Sequence, residues 1–410
     1  MRYCDLTFAY TDTSGGIRTY IDHKRRFIAE HTTDEHVLIV PGERDLVQRD
    51  GRLTQVEIKS PVIPGAAPYR IFPGPGPVHQ ALVEQTPDLI ELGSVFVAPW
   101  AAFRYRAECQ ESGRRCPVTA YFHTDIAHTY VGAPLRRWLA GELAGFSELL
   151  AHWGERVGDW AEEGAESAFG SVFRRCDLTL AATPAQAARL SRYGVRDTAI
   201  IPLGVDLNHY GPHRRDPAWR RALGVAEDEW LLLYCGRLDS EKAVKVLVDA
   251  FICLPESPRF HLALMGEGPL REQLEAEADA RERLHVLPYE RDPGRYAERL
   301  ASADIYVTAG PYETFGLAVV EAEASGLPVV GVDAGALRER VQPAWGRLGP
   351  VGDARSMAKN ILAVARERDR LGAVARDHVL EAGHDWSDSF SKLFGHSARL
   401  LKSEPRGTGA

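Results

Sequence analysis

Long apolar runs are missing from this chain. No stretch of about 18 uninterrupted apolar residues occurs, so the usual mark of a membrane-spanning helix is absent. The first residues enter a polar-punctuated strand pattern directly, without the charged, apolar and small-residue succession of a signal peptide. Basic charge is not in excess either: the net charge of −8 argues against a general nucleic-acid binder. The six cysteines include no pair at CxxC spacing, and Cys4 and Cys235 fall in expected buried strands. They read as reduced core thiols of a cytoplasmic protein, not as zinc ligands or disulfides. The first glycine turn lacks G-x-G-x-x-G spacing, which counts against a nicotinamide oxidoreductase.

What is present is the composition of an ordinary folded protein, 45% hydrophobic and 26% charged, in a length of 410 residues that fits two domains better than one core. Short apolar runs at Arg2 to Ala9, Val37 to Val40, Val56 to Ile58, Leu89 to Leu92, Val118 to Phe122, Leu178 to Thr183 and Thr198 to Pro202 read as strands, with helical runs between them. The helix after the first strand carries Ile17, Tyr20, Ile21, Phe27 and Ile28 on one stripe, with the stem of Lys24. Trp230 to Cys235, Phe260 to Met265, Leu284 to Leu287, Asp304 to Ala309 and Val329-Val330 repeat the pattern in the second half. Alternating strands and helices imply parallel doubly wound sheets, in which ligands gather at the carboxyl ends of strands. The prolines from Pro61 to Pro77 mark an extended surface loop, and a linker is placed between about 206 and 225. A Trp-rich helical segment at 134–175 is acidic on its polar face, which favours a cover over an acceptor cleft above a membrane-contact helix.

The chemistry concentrates in Gly310 to Asp333. Glu313 and Glu321 lie eight residues apart with Phe315-Gly316 between them, and Gly316 opens an apolar helix closed by Gly326 and Pro328. The first N–H groups of that helix lack internal partners and suit a phosphate or sugar oxygen. If the span is about two helical turns, the carboxylates lie roughly 12 Å apart at most, which suits opposite ends of one ligand better than an acid and base on one bond. Arg237 and Lys242 flank another strand-to-helix turn and can converge on a diphosphate. Gly15-Gly16, in the first strand-to-helix turn, is a plain tight connection or a place where backbone meets ligand. His123, at the end of its strand, is an ordinary loop histidine or a partner for a sugar hydroxyl or developing charge.

The Glu313 to Glu321 stretch closely resembles the glutamate-pair motif of family 4 glycosyltransferases, and Gly15-Gly16, His123, and Gly236-Arg237-Leu238 through Glu241-Lys242 match further motifs in order. Thr314 stands where the family often has proline, and Ala243 where it often has glycine. The resemblance implies an α/β GT-B architecture of two facing Rossmann-like domains with a cleft between them, here 1–205 on the acceptor side and 206–385 on the donor side. A helix at 386–402 would return to the first domain, followed by a disordered 403–410. It implies that Arg237 and Lys242 hold the donor phosphates, that Glu313 and the amides of Phe315, Gly316 and Leu317 meet donor sugar and diphosphate, and that Glu321 binds the ribose. Gly15, Gly16 and Gly268 would approach the ligand through backbone, Tyr289 would stand by the base, and His123 would stand by the transferred sugar, with Asp125 and His128 on the acceptor side.

The implied activity is retaining transfer of a hexose from a donor of the UDP-glucose or GDP-mannose type to a glycan, glycolipid or small-molecule hydroxyl. The nucleotide sugar is a co-substrate, and metal independence is expected because no metal-ligand cluster is visible. A nucleotide-sugar epimerase or phosphorylase of the same fold, or a non-catalytic nucleotide-sugar binder, remains open. The expected setting is the cytoplasm, with possible association at the inner membrane face.

Overall fold

A computed structural model describes residues 1–11, 15–63, 68–123, 164, 166–257, 259–383 and 385–402. The sequence candidates Asp125 and His128, most of the Trp-rich segment and the 403–410 tail lie outside these residues. The chain divides into two compact units, Met1–Pro202 with the segment from Trp386 onward, and Leu203–Asp385.

In the first unit, β1 (Arg2–Leu6), β2 (Glu35–Gly42), β3 (Leu46–Asp50), β4 (Leu53–Lys59), β5 (Leu89–Leu92), β6 (Val118–Tyr121), β7 (Leu178–Ala181) and β8 (Thr198–Ile200) form a sheet in the order β3-β4-β2-β1-β5-β6-β7-β8. Only β3 runs antiparallel to its neighbour. Its helices include α1 (Gly16–His31), α2 (Pro75–Gln85), α3 (Ala98–Glu111) and α4 (Pro184–Arg192). Strand alternation sorts the core: Cys4, Leu6, Ile39, Ile90 and Leu92 pack with Val78 and Leu82 of α2 and Phe103 of α3. Tyr3 and Leu89 face the other way, against Ile28 of α1.

The second unit holds β9 (Trp230–Cys235), β10 (Phe260–Met265), β11 (Leu284–Leu287), β12 (Ile305–Val307), β13 (Val329–Val332) and β14 (Gly346–Gly349) in the order β11-β10-β9-β12-β13-β14, every pair parallel. Its helices are α5 (Pro217–Ala222), α6 (Val244–Ile252), α7 (Arg271–Asp279), α8 (Pro293–Ser302), α9 (Leu317–Ala324), α10 (Leu337–Arg340), α11 (Ala354–Ala365) and α12 (Arg368–Glu381). Both faces of such a sheet are covered, and β10, Phe-His-Leu-Ala-Leu-Met, is buried at every position. The chain grows outward from β9 on one side and then on the other. The carboxyl ends of β9 and β12 are therefore the switch point where ligands bind such folds. The last helix, α13 (Trp386–Lys402), belongs to the first unit, where Phe394 stacks on Phe27 at 5.6 Å and Trp386 on His23 at 4.8 Å.

Three local expectations change. The strand expected at Val56 to Ile58 runs from Leu53 to Lys59 and pairs with β3, an edge strand with no fully buried residue and hence no apolar pattern. The proline segment is not one extended loop: Val62 bridges Arg70 antiparallel, Phe72 is buried, and Pro75 starts α2, where a missing N–H costs nothing. Much of the expected linker is structured. Arg220 of α5 is buried against Asp304 at 2.7 Å, and Arg215 meets the same carboxylate at 3.0 Å.

The centre of the first unit is charged. Asp5 and Glu91 are register partners on β1 and β5, both buried on the α1 side, and the Lys24 ammonium lies 2.8 Å from one and 3.0 Å from the other. His36 meets the second Asp5 oxygen at 2.7 Å, and the Tyr20 hydroxyl donates to Glu91 at 2.8 Å. Burial alone would lower the Lys24 pKa, but the two carboxylates raise it to about 12. Burial likewise works to raise Asp5, and the charges of Lys24 and His36 carry it well below the usual carboxylate range. Lys24→Met should therefore lower the unfolding free energy of this unit by about 3–5 kcal/mol, since two buried carboxylates lose their shared cation. Urea denaturation checks this, and an unchanged midpoint would contradict it.

Candidate functional site

The site begins where β9 ends. Gly236 follows Cys235, and the turn carries Arg237, Asp239, Glu241 and Lys242 into α6. Arg237 is half-exposed and forked between two carboxylates, Asp239 at 2.9 Å and Glu241 at 2.5 Å. Asp239 also accepts the Lys242 N–H at 2.9 Å, which fixes the turn. Ala243, before α6, has φ +50°, a left-handed conformation that glycine adopts more easily. The neighbouring turn presses close: a Cβ on Gly268 would lie 2.4 Å from the Leu238 carbonyl oxygen, so glycine is required there for backbone packing.

After β12 the loop Gly310 to Gly316 runs beside this turn. Gly310 lies against Lys242, and the Lys242 ammonium meets Glu313 at 2.5 Å. Burial works to lower the Lys242 pKa, and the charges of Glu313 and Glu241 overcome it, leaving the group above its usual value and fully cationic. Gly316 takes φ +78° and caps α9, so the helix starts at Leu317. Glu313 is therefore not on the helix, and the expected two-turn separation of the glutamates does not apply. Apart from Leu317 and Ala318, every residue of α9 is buried. A helix start without a side-chain cap, a lysine and an arginine thus lie at the switch point of a parallel sheet, an arrangement suited to a diphosphate.

Residues 215–378 match the model for glycosyl transferases group 1, and residues 14–209 match that for glycosyltransferase family 4. A GDP-mannose-dependent alpha-(1-6)-phosphatidylinositol dimannoside mannosyltransferase of Mycobacterium tuberculosis is 30% identical over 83% of this chain and 81% of its own length. The chain belongs to glycosyltransferase family 4. A D-inositol 3-phosphate glycosyltransferase of Geodermatophilus obscurus is 36% identical, over 51% of this chain and 50% of that one. Among solved structures, sucrose-phosphate synthase from Thermosynechococcus elongatus gives a TM-score of 0.73 at 19% identity, covering 98% of this chain and 99% of that one. Anabaena HepE in complex with UDP-glucose gives 0.67 at 18%, covering 97% and 100%. The fold is GT-B, and the protein is a glycosyltransferase that uses a nucleotide-sugar donor.

In this family 4 enzyme Lys242 and Glu313 meet, with Arg237 in the turn before Lys242, and with Phe315, Gly316 and Leu317 following Glu313 into α9, where Glu321 lies one turn further on. Tyr289 is 40% exposed just beyond β11, and its N–H donates to Glu267 at 3.4 Å. Gly15, Gly16 and His123 belong to the first unit. Gly15 precedes α1, which has no side-chain cap. The His123 ring stacks on Tyr121 at 4.2 Å and meets Tyr20 edge-on at 5.1 Å. Burial lowers its pKa to about 3, so it is a neutral imidazole and not a cation that could steady developing charge.

Two partners of Glu321 carry no sequence signal. Tyr210 donates to one oxygen of Glu321 at 3.2 Å, and Tyr296 to the other at 3.0 Å. Glu321 is buried, and desolvation raises its pKa to about 7 against the opposing effect of the two hydroxyls. Its contribution to stability is therefore greatest in acid and is lost as pH rises from the usual carboxyl range to about 7. A carboxyl titration with a midpoint near 7 should be visible by infrared difference spectroscopy and absent in Glu321→Gln. Tyr296→Phe should move that midpoint upward, because the lost hydroxyl favours the charged form; a downward move or none would contradict the assignment.

Proposed function

We propose that this enzyme moves a mannosyl group from GDP-mannose, with retention of anomeric configuration, to a hydroxyl of a glycan or glycolipid. The observation that carries the reading is the Lys242–Glu313 pair just before the start of α9, in the loops that follow β9 and β12. The choice of donor rests on the GDP-mannose-dependent relatives, which include a second mannosyltransferase of Corynebacterium glutamicum at 29% identity over 73% of this chain.

As the bond from the anomeric carbon to phosphate breaks, negative charge grows on the departing diphosphate. Arg237, Lys242 and the amides at Phe315, Gly316 and Leu317 are the groups proposed to stabilise it. A phosphate oxygen of the leaving group takes the acceptor proton while the new carbon–oxygen bond forms on the same face, so no protein nucleophile is required. Glu313 orients the sugar hydroxyls, held ready by Lys242. Glu321 accepts from the ribose hydroxyls, and Tyr289 stands by the base. The first unit takes the acceptor, with Asp125 on that side and neutral His123 exchanging hydrogen bonds with a hydroxyl. A glycolipid acceptor would bring the enzyme to a membrane surface, and no helix among the described residues is long and apolar enough to cross one.

Lys242→Ala should lower kcat by roughly two orders of magnitude, the scale of losing one preorganised donor to a developing charge; turnover within twofold of wild type would remove Lys242 from the mechanism. Activity should survive EDTA, since Arg237 and Lys242 are proposed to supply at the phosphates the positive charge that a metal ion would; loss of activity restored by Mg²⁺ would overturn that. The direct test of the donor is thermal stabilisation across GDP, UDP, ADP and their hexose conjugates. A shift confined to the guanine compounds is expected, and a uridine-selective shift would reassign the donor.

A further inference from the structure

One short segment behind the phosphate loop has no role in the mechanism above. Gly335, Ala336 and α10, which ends at Arg340, pack against Pro311 to Phe315. Gly335 has φ +53°, and a Cβ there would stand 2.7 Å from the Glu313 carbonyl oxygen and 2.8 Å from that of Pro311. The Ala336 N–H donates to the Glu313 carbonyl at 2.8 Å. The Arg340 guanidinium is buried, lies 3.8 Å from the centroid of the buried Phe315 ring, and donates through Nε to the Phe315 carbonyl at 3.3 Å. Arg340 is itself fixed, because its own carbonyl accepts from Trp345 Nε1 at 3.0 Å and Trp345 stacks on His378 at 4.2 Å. The same indole N–H reaches the buried carboxyl of Glu323 on α9 at 3.1 Å.

The peptide plane supplies the consequence. In a trans peptide the C=O and the following N–H point in opposite directions. A guanidinium that holds the Phe315 carbonyl therefore turns the Gly316 N–H to the side of the loop away from Arg340. An apolar side chain would pack the ring equally well but would leave the carbonyl unheld. Burying a guanidinium is unfavourable unless its donors are used, and here one is spent on the carbonyl that sets the direction of the amide.

We propose that Arg340 is a positioning residue for phosphate recognition: from behind the loop it fixes the Phe315–Gly316 peptide so that the Gly316 N–H faces the β-phosphate side of the donor. The inference rests on the diphosphate reading of this site under "Proposed function" and adds to it the residue that sets the aim of the amide. Arg340 is assigned no contact with substrate; its charge also acts on the buried Glu323 of α9, and the effect proposed here is the one that passes through the Phe315 carbonyl. Arg340 is therefore felt in the affinity increment that the β-phosphate adds and not in recognition of the base.

The test compares GDP with GMP binding by calorimetry in wild type, Arg340→Met and Arg340→Lys, with the thermal midpoint of each protein as a check of folding. Arg340→Met should leave GMP affinity within about twofold and weaken GDP about tenfold, part of the value of one hydrogen bond to a charged group. Arg340→Lys, which keeps a cation over the ring, should recover part of the loss. If Arg340→Met does not fold, Trp345→Phe, which removes the donor holding the Arg340 carbonyl, is read in the same way with an expected GDP loss of about threefold. A folded variant that keeps the wild-type preference for GDP over GMP overturns the inference, and so do equal losses for both nucleotides, which would make Arg340 merely structural. A wild-type protein with no preference for GDP over GMP overturns the diphosphate reading itself, an outcome separable from the others.

Discussion

The Lys242–Glu313 contact joins the two loops on which the candidate site depends. One loop leaves the carboxyl end of β9 and the other that of β12, strands adjacent in the sheet but some 70 residues apart in the chain. The sheet brings the loops together because the chain adds strands to one side of β9 and then to the other. The ion pair then fixes them at the level of individual side chains. With Glu313 drawn to Lys242, the backbone from Gly310 to Gly316 lies where α9 can start, and Glu321, one turn into that helix, comes under Tyr210 and Tyr296.

The architecture was legible because covered parallel strands have few ways to be written. Trp230 to Cys235 and Phe260 to Met265 are apolar runs ended by glycine turns, and both are strands with the expected limits. The start of α9 at a glycine was equally readable. What escaped was whatever depends on a partner distant in sequence. β3 pairs along an exposed edge and needs no apolar residue. Lys24 sits in an apolar stripe, and only the meeting of β1 with β5 reveals that its ammonium is buried between two carboxylates.

The site was read in the same uneven way. The glutamates, the two cations and the Gly316 turn stand out in the sequence through their spacing and their resemblance to the family's motifs. Spacing could not say that Arg237 and Lys242 each face a carboxylate, that Glu313 precedes the helix, or that Glu321 is gripped by tyrosines 111 and 25 residues away. It could not say either that His123 would be neutral, since its lowered pKa is set by burial against Tyr20 and Tyr121.

The charges around the proposed phosphate position explain why backbone direction would matter there. Two cations, Arg237 and Lys242, stand against three carboxylates, those of Asp239, Glu241 and Glu313. Such a cluster is not an electrostatic trap, because its cations are already satisfied and an incoming diphosphate must share them with carboxylates that stay close. The ion pairs hold the side chains in place, which reduces the ordering that binding requires. The attraction for the extra negative charge must then come from backbone donors at the start of α9, before the Val319 N–H, which donates to the Gly316 carbonyl at 2.9 Å. An amide dipole has a direction, and a small rotation of its peptide plane removes most of its benefit. A site with this charge balance therefore depends on whatever holds the loop carbonyls from behind, and Ala336 and Arg340 occupy that position.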